Sequence, residues 1–388
     1  MIKSIGECFY QIQNGANIKQ GEVDGGFPIT RIETTANDKF NRDRMGYAGI
    51  TDITQYESYV LEDGDLLMSH INSVQYLGRT VLYVKRPNET IIHGMNLLRL
   101  KANKDVIDPA YAKYYFNGHL FRSELGKITK KSVNQASFTV KDLKKIKIII
   151  PSMSEQEKIV FVLDKIKVII DNYQKQLEKY DELIKARFVE MFGDVKNKEK
   201  YKGIALKNIC KTMSGGTPST KNPEYYSGQI PWITTISLGE NYIDGNNAKG
   251  YITQQAIDNS ATKLVPKDSI LFGTRVGVGK SSINEVEMCT NQDIVAIINV
   301  DKSKYNNLFI KNVLDAYQPY YDSLKKGATI LGITSDDLKN TLIPIVPLNL
   351  QNQFADFVKQ IDKSKFVVQK SLDKAQLLFD SLMQEYFG

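Results

Sequence analysis

Cysteine is scarce in this chain of 388 residues, and long apolar runs are missing. The three cysteines, Cys8, Cys210 and Cys289, are too few and too far apart for a disulfide framework or a Cys-x-x-Cys metal site. No apolar run approaches the roughly 20 residues that a membrane helix needs. The segment Met1–Tyr10 lacks the apolar stretch of a signal peptide. These absences predict a protein of the reducing cytoplasm.

The motifs of common catalytic and metal sites are also missing. No two of the three histidines lie at metal-ligand spacing, and no serine or cysteine stands in a nucleophile-elbow motif. Gly279-Lys280-Ser281 matches the end of a phosphate-binding P-loop, but Thr274 stands where that loop needs its first glycine. The sequence therefore predicts no catalytic activity and no metal, and an active site assembled from distant residues stays open as an alternative.

What the sequence does contain is an internal repeat with an offset of 195 residues. The matching pairs include Phe192-Gly193 with Phe387-Gly388, Asp142-Leu143-Lys144 with Asp337-Leu338-Lys339, Gln174-Lys175 with Gln369-Lys370, and Gln156 with Gln351. Short repeats of about 20–50 residues indicate solenoids or propellers, whereas a repeat near half the chain length indicates two copies of a whole domain. We therefore expect two similar functional ends, related by a pseudo-two-fold axis.

Charge and tyrosine content favour a nucleic acid partner without deciding it. The chain has a formal net charge of +7 and 21 tyrosines. A modest positive charge fits a polyanionic partner, but it is also common in proteins that have none. Tyrosine combines an apolar face with a hydrogen-bonding tip and suits interfaces, although it also fills sheet surfaces.

The repeat divides the chain into four segments. We predict β-rich domains at residues 1–151 and 196–347, and long helices at residues 152–195 and 348–388. The strand-like runs of the first domain are Val60–Met68, Arg79–Val84, Leu97–Leu100 and Ile146–Ile150.

Both helical segments carry apolar residues at the a and d positions of a heptad repeat. In the first segment these positions are Ile159, Leu163, Ile166, Ile170, Tyr173, Leu177, Tyr180, Ile184 and Met191. In the second they are Phe354, Val358, Ile361, Lys365, Val368, Leu372, Ala375, Phe379 and Tyr386. So narrow a stripe must pack on a partner helix. The shared register predicts an antiparallel pair within the chain, and pairing of each helix with another protein is the alternative.

Three further features of the helices lead to specific expectations. Ser154 and Glu157 have the spacing of a capping box at the start of the first helix, and Gly193 suits its C-terminal end. Lys365 interrupts the apolar stripe, so it either extends its charge to solvent or sets the register of the pair.

Polar and basic residues suited to a nucleic acid form groups in each domain. In the first domain the candidates are Asn41, Arg42, Arg44, Tyr47, His70, Asn72, Tyr76, Arg79, Lys130, Lys131, Asn134 and Gln135. In the second they are Lys221, Thr274, Arg275, Lys280, Ser281, Lys325, Lys326 and Thr329. A solvated surface role is the alternative for any single residue, and it is the grouping that favours DNA.

The two lysine pairs lie at the same position of the repeat. Lys130-Lys131 and Lys325-Lys326 would therefore suit phosphate contacts, which carry no sequence information. The residues that follow differ, Asn134-Gln135 against Thr329-Ile330. Base reading needs such divergence, because Asn and Gln pair with adenine and Arg pairs with guanine in the major groove.

The order of several motifs carries a family resemblance. These motifs are Pro151 before Glu155-Gln156, a long helix ending in Phe192-Gly193, then Ser214-Gly215-Gly216-Thr217-Pro218-Ser219, and later Ile230-Pro231-Trp232-Ile233. In this duplicated arrangement the chain resembles, over essentially its whole length, the specificity subunit of type I restriction-modification systems. Two departures are Gln13-Asn14-Gly15-Ala16 in place of the Ser-Gly-Gly-Thr opening, and Gln351-Asn352 in place of the second Glu-Gln.

The resemblance implies an α+β protein with two β-rich target recognition domains, separated by a pair of long antiparallel coiled-coil helices. Each domain would read one half of a bipartite site in double-stranded DNA, and the helices would also dock two methyltransferase subunits. The chain would need no cofactor, because S-adenosylmethionine would bind the methyltransferase, and restriction (translocase) subunits would complete the complex. A non-catalytic structural adaptor that binds proteins rather than DNA is the alternative.

Overall fold

A computed structural model describes residues 1–133, 135–197, 199–327 and 331–388. The chain forms two compact units. Unit 1 consists of Met1–Lys175 with Gln369–Gly388, and unit 2 of Gln176–Val368. Each unit therefore contains one β-rich block and a segment of both long helices.

Unit 1 begins with a block of short strands and helices. In chain order these are β1 (Ile2–Ser4), α1 (Ile5–Cys8), β2 (Phe9–Asn14), β3 (Pro28–Ile29), β4 (Gly46–Tyr47), β5 (Leu66–Ser69), β6 (Ile71–Asn72), β7 (Thr80–Leu82), β8 (Leu97–Ala102), α2 (Pro109–Asn117), α3 (His119–Ile128), β9 (Lys130–Lys131), β10 (Ala136–Ser137), α4 (Val140–Leu143) and β11 (Lys147–Ile149). Short 3-10 helices lie at Ile32–Asp38, Arg42–Arg44, Thr54–Tyr59 and Val74–Tyr76. The block ends where the long helix α5 (Met153–Phe192) begins.

A four-stranded antiparallel sheet in the order β2-β8-β5-β7 is the centre of unit 1. Its middle strands β5 and β8 are buried along their whole length. Ser69 pairs with Leu97 at one end of these two strands, and Leu66 pairs with Leu100 towards the other. We call the end at Ser69 and Leu97 the loop end of unit 1. β2 also finishes near this end, because its Asn14 pairs with Leu98.

Unit 2 contains the second block. Its elements are β12 (Gly203–Ala205), β13 (Lys211–Ser214), β14 (Ile230–Ile233), β15 (Tyr242–Ile243), β16 (Gly250–Ile252), α6 (Gln254–Asp258), β17 (Leu264–Val265), β18 (Ile270–Gly273), β19 (Ser281–Asn284), β20 (Met288–Thr290), β21 (Ile294–Ile298), α7 (Asn307–Ala316), α8 (Gln318–Leu324), α9 (Ser335–Lys339) and β22 (Leu342–Pro344). Short 3-10 helices lie at Leu206–Asn208, Pro223–Tyr226, Thr235–Ser237 and Gly245–Asn247. The long helix α10 (Leu348–Phe387) follows.

The main sheet of unit 2 has the order β13-β21-β18-β19-β15. Gly273 of β18 pairs with Ile294 of β21, and we call this the loop end of unit 2. A second sheet has the order β16-β14-β20-β17. In unit 1 the corresponding region is smaller: β3 pairs with β4, and Ile92 forms single bridges with Ile29 and Val60.

The repeat in the sequence corresponds to a repeat of elements. The pairing of β1 with β11 recurs as β12 with β22, and the order β2-β8-β5-β7 recurs as β13-β21-β18-β19. The helices α2, α3 and α4 recur as α7, α8 and α9. The prediction of an α+β chain with two β-rich domains is therefore confirmed.

The long helices α5 and α10 have 40 residues each, which corresponds to about 60 Å. In unit 2 they are antiparallel, because the ring of Phe188 lies 5.2 Å from that of Phe354 while Asp181 bonds Lys365 at 2.7 Å. All the predicted heptad positions are buried or half-buried. The predicted antiparallel pairing within the chain is confirmed.

Each unit closes its core with a segment of both long helices. In unit 1 these segments contribute Leu163 and Phe387, which are completely buried. In unit 2 they contribute Phe188, Phe192 and Phe354. Of the described helices, none combines the length and apolar character that a membrane crossing requires.

The predicted cap of α5 is wrong by two residues. The backbone nitrogen and the hydroxyl of Ser152, rather than Ser154, donate to Glu155 at 3.1 and 2.9 Å. Ser-x-x-Glu occurs twice here, two residues apart, so the spacing alone could not choose between the two boxes. The predicted C-terminal end is confirmed, because the helix ends before Gly193, whose φ is +66°.

Candidate nucleic-acid interface

Three segments of unit 1 meet at its loop end. Residues 70–79 connect β5 to β7 and lie beside the turn that precedes β8, because Ser69 pairs with Leu97. The β9–β10 hairpin joins them, since the two residues of β10 pair with those of β6. Most candidate residues of the first domain lie on these segments, although they are far apart in sequence.

Within residues 70–79 the candidate side chains differ in exposure. His70 is 8% exposed, and burial lowers its pKa, so its ring is neutral at pH 7 and carries no charge for a phosphate. Asn72 is half-buried, and its side-chain oxygen accepts a hydrogen bond from the backbone of Ser73 at 2.8 Å.

Arg79 and Tyr76 of the same segment contact each other. The Arg79 guanidinium lies 4.6 Å from the centre of the Tyr76 ring, and its Nε lies 3.1 Å from a carboxylate oxygen of Asp38. Tyr76 is 40% exposed. The ring and the carboxylate hold a cation at the loop end.

The segment around residues 41–47 divides into internal and exposed side chains. Arg42 donates through Nε and Nη2 to the two carboxylate oxygens of Glu89, at 2.9 and 2.6 Å. These bonds lower the pKa of Glu89 to about 2 and raise that of Arg42. The Asn41 amide donates to two backbone carbonyls, whereas Arg44 and Tyr47 are exposed.

The β9–β10 hairpin presents its lysines to solvent. Lys130 and Lys131 are exposed, and neither forms an ion pair with another described residue. The carbonyl of Gln135 accepts hydrogen bonds from the backbone and the hydroxyl of Ser132, at 2.7 and 2.9 Å, which closes the hairpin. Asn134 lies outside the described residues.

Unit 2 has the same construction at its loop end. The backbone nitrogen of Ser69 donates to the carbonyl of Arg79 at 2.9 Å, and that of Gly273 donates to the carbonyl of Lys280 at 2.9 Å. In both units the residue before this basic one is a glycine with positive φ, as the tight turn requires. Arg79 and Lys280 are therefore structurally equivalent.

The other candidates beside β18 are partly internal. Thr274 is 6% exposed and donates to the carbonyl of Asp293, and Ser281 is 1% exposed and donates to Asp315 at 2.9 Å. Arg275 is exposed, with its guanidinium 3.8 Å from Asp293.

An antiparallel bridge between Lys326 and Gly332 corresponds to the pairing of β9 with β10 in unit 1. Lys326 and Gly332 exchange two backbone hydrogen bonds, of 2.9 and 3.0 Å. Lys325 pairs with Asp322 at 2.5 Å, and Lys326 is exposed. Lys221 is exposed elsewhere, in the segment before β14. Thr329 lies outside the described residues.

Sequence reasoning missed one turn in each unit. The backbone nitrogen of Leu97 donates to the carbonyl of Gly94 at 3.3 Å, and that of Ile294 donates to the carbonyl of Asn291 at 3.2 Å. These two turns are equivalent, because each immediately precedes the strand that pairs with β5 or β18. When residues 91–98 are aligned with residues 288–295, no position is identical, so a search for repeated residues could not align them.

The described part of the chain offers little for covalent chemistry. It contains no group of three or more His, Cys, Asp or Glu residues that could hold a metal ion. Burial raises the pKa of Cys8 and Cys210 to about 11, and that of Cys289 to about 12, so all three remain thiols at pH 7. What the loop ends offer is a set of exposed cations and amides.

Comparison with known families identifies the class of protein. The profile described as type I restriction modification DNA specificity domain matches residues 1–179 and again residues 198–375. The chain belongs to this family, and the resemblance inferred from its motifs is confirmed.

Individual relatives agree with this assignment. The type I restriction enzyme MjaX specificity subunit of Methanocaldococcus jannaschii is 30% identical over 378 residues, which cover 93% of this chain and 86% of that protein. The EcoR124I/EcoR124II specificity subunit of Escherichia coli is 26% identical over 221 residues, covering 54% of this chain and 52% of that protein. The crystal structure of the S subunit from M. genitalium has the same fold, with a TM-score of 0.60 at 13% identity, over 100% of this chain and 96% of that one.

The chain is therefore the DNA specificity subunit of a type I restriction-modification system and carries two target recognition domains. It is a non-catalytic part of the type I restriction-modification enzyme complex.

Proposed function

We propose that each target recognition domain reads one half of a bipartite site in double-stranded DNA through its loop end. The domains are residues 1–151 and 196–347, and the helical segments 152–195 and 348–388 set the spacing between the two half-sites. The observation that carries this proposal is the match between the loop ends. Both present a basic residue at the equivalent positions Arg79 and Lys280, next to a lysine pair, while the neighbouring side chains differ.

The shared cations suit phosphates, because phosphate contacts fix the position of a protein on DNA without reading the sequence. We assign this role to Arg79, Lys130 and Lys131 in the first domain, and to Lys280, Lys325 and Lys326 in the second. The exposed residues that differ between the domains then contact bases or sugars; these are Arg44, Tyr47, Tyr76, Gln135, Lys221 and Arg275. We propose the same role for the half-buried Asn72, and, from their positions in the sequence alone, for Asn134 and Thr329.

The internal candidates act indirectly in this proposal. Arg42 is held by Glu89, and Asn41 by backbone carbonyls, so both fix the segment that carries Arg44 and Tyr47. His70, Thr274 and Ser281 are buried beneath the loop ends and support the loops from below.

The long helices dock two methyltransferase subunits in this proposal. They leave large apolar side chains exposed, which is typical of a protein interface. Leu183 and Leu378 occupy the same position of the repeat, and they are 45% and 51% exposed. Two exposed leucines at equivalent positions suit two copies of one partner. The methyltransferase carries S-adenosylmethionine, restriction subunits complete the complex, and the complex works on DNA in the cytoplasm.

Methylation sequencing tests the function directly. We expect that co-expression with the methyltransferase subunit encoded beside this chain, in a host without adenine methylation, produces one new bipartite motif. If the complex assembles but produces no new motif and shows no salt-dependent binding to duplex DNA, the proposal is wrong. If it binds DNA without methylating it, the partner enzyme is inactive.

The lysine hairpin of unit 1 can be tested by salt dependence. We expect that Lys130→Ala with Lys131→Ala weakens binding to all DNA sequences alike. Each phosphate contact contributes about 0.9 to the slope of log K against log salt, so the slope should become shallower by about 1.8. A changed recognition motif would contradict the phosphate assignment.

Lys85→Ala with Lys104→Ala is the matched control for charge. Both lysines are exposed. They flank the turn before β5, at the opposite end of the main sheet from Ser69 and Leu97. This double variant removes the same charge, and we expect it to leave the slope almost unchanged.

A further inference from the structure

The two turns that precede β8 and β21 have the same backbone arrangement. In the first turn, Met95 and Asn96 are the central residues, and in the second they are Gln292 and Asp293. Met95, Asn96 and Gln292 are exposed, and Asp293 is partly exposed, whereas the residues on both sides of each pair are buried. Each turn thus raises two side chains out of an otherwise buried segment.

A second loop holds each turn in place by the same contact. The backbone nitrogen of Ala16 donates to the carbonyl of His93 at 2.7 Å, and that of Gly216 donates to the carbonyl of Thr290 at 2.8 Å. The residue before each donor is a glycine, and a Cβ added there would lie 2.1 or 2.2 Å from a carbonyl oxygen of the turn. This close approach requires glycine and fixes the backbone of both turns.

The turns lie next to the cations that we assign to phosphates. Leu97, the last residue of the first turn, pairs with Ser69, which bonds the carbonyl of Arg79. Ile294 pairs in the same way with Gly273, which bonds the carbonyl of Lys280. Backbone pairing therefore links each turn to the segment that carries the cation.

The side chains of the turns differ in the way that base reading needs. A glutamine amide can pair bidentately with adenine in the major groove, whereas an apolar side chain contacts the methyl group of thymine. The Gln292 oxygen accepts a hydrogen bond from the hydroxyl of Thr217, which orients the amide. The NH2 group and the second lone pair of the oxygen remain for a bidentate contact with a base. Met95 offers only an apolar contact, although it stands in the equivalent position.

We propose that Met95 and Gln292 are specificity-determining residues, each reading a base pair of its own half-site from the same position of the duplicated scaffold. This inference rests on the proposed function, because it needs the loop ends to contact DNA. It adds residues that carry no charge and that do not match each other in the sequence repeat.

Methylation sequencing of Gln292→Ala tests the inference. We expect one base pair of one half-site to become degenerate, with discrimination at that position falling by about 5- to 150-fold, and the other half-site to stay unchanged. Met95→Ala should relax the other half-site instead. Gln255→Ala removes the same side chain from an exposed position of α6 and should change neither half-site.

The outcomes separate this inference from the proposed function. If wild type methylates a bipartite motif and Gln292→Ala methylates the same motif with the same fidelity, the inference is wrong and the function stands. If wild type neither binds nor methylates DNA, both are wrong. If Gln292→Ala abolishes methylation, the affinity of the variant complex for duplexes altered at single base pairs tests the inference in its place. Lost discrimination at one pair supports the inference, and uniform weakening overturns it.

Discussion

Two glutamines, Gln156 and Gln351, are completely buried and make the same three hydrogen bonds in the two units. The Gln156 oxygen accepts from the backbone of Asp108 at 2.9 Å, and its nitrogen donates to the carbonyls of Val106 and Pro151, both at 3.1 Å. Gln351 bonds Asn306, Lys304 and Val346 in the same way. Each glutamine therefore joins the start of a long helix to the residues before α2 or α7.

The sequence repeat identified this pair of glutamines but not their role. All their partners are backbone atoms, which leave no trace in residue identity. The same limit applies to the candidate interface. Arg42 and Ser281 looked like DNA contacts because Glu89 and Asp315, which hold them, lie 47 and 34 residues away in the chain.

Gln351→Ala should destabilise unit 2 by about 2–4 kcal/mol, because it leaves buried backbone groups without a partner. Trp232, the single tryptophan of the chain, is buried in unit 2, so urea unfolding followed by its fluorescence reports this unit. Gln353→Ala, at an exposed position of the same helix, should change the free energy of unfolding by less than about 0.5 kcal/mol. Equal midpoints for the two variants would show that the buried bonds contribute nothing.

At the scale of elements, the long helices were the most predictable part of the fold. Their heptad pattern is local and extends over many turns, so it determines both the helix and its apolar face. The predicted strand runs overlap β5, β7, β8 and β11. The 3-10 helices and two-residue strands were not predicted, because tertiary contacts rather than local patterns fix such short elements.

Lys365 forms ion pairs from within the apolar stripe of α10. Its ammonium bonds Asp181 of α5 at 2.7 Å and lies 3.4 Å from Glu240. Burial alone would lower the pKa of Lys365, but these carboxylates outweigh it and raise the pKa. The lysine therefore remains charged at pH 7 while only 15% of its side chain is exposed.

Substitutions at Lys365 should separate packing from charge. Lys365→Glu places three carboxylates together and should destabilise unit 2 by about 1 kcal/mol, whereas Lys365→Leu restores the apolar stripe and should be neutral or stabilising. Fluorescence of Trp232 during urea unfolding measures the free energy of unfolding of both variants. Lys363→Glu, an exposed position two residues earlier, serves as the charge control. A strongly destabilised Lys365→Leu would mean that the ion pair contributes more than packing does.

At the scale of the whole molecule, the duplication was visible in the sequence, but the composition of the units was not. Residue identity suggested boundaries at 151, 195 and 347, between blocks and helices. Compact packing groups Met1–Lys175 with Gln369–Gly388, because each core includes segments of both long helices. Contacts between residues so far apart in the chain have no sequence signature.

Exchanging residues 200–346 for the second block of a relative should change one half-site and leave the other intact, because the proposed reading loops of unit 2 all lie within that block. Methylation sequencing of the chimera with the same methyltransferase measures this. The reciprocal exchange of residues 1–150 should change the other half-site. A chimera that altered both halves would mean that the domains do not read independently.

Because each core includes segments of both long helices, the order in which the two units can fold during synthesis is fixed. Unit 2 is continuous, so it is complete once Val368 has left the ribosome. Unit 1 cannot be completed until residues 369–388 have been synthesised, because they add Phe379 and Phe387 to a core that also contains Ile5. The domain that is translated first is therefore finished last. A stop codon after residue 368 would spare the second domain and damage the first.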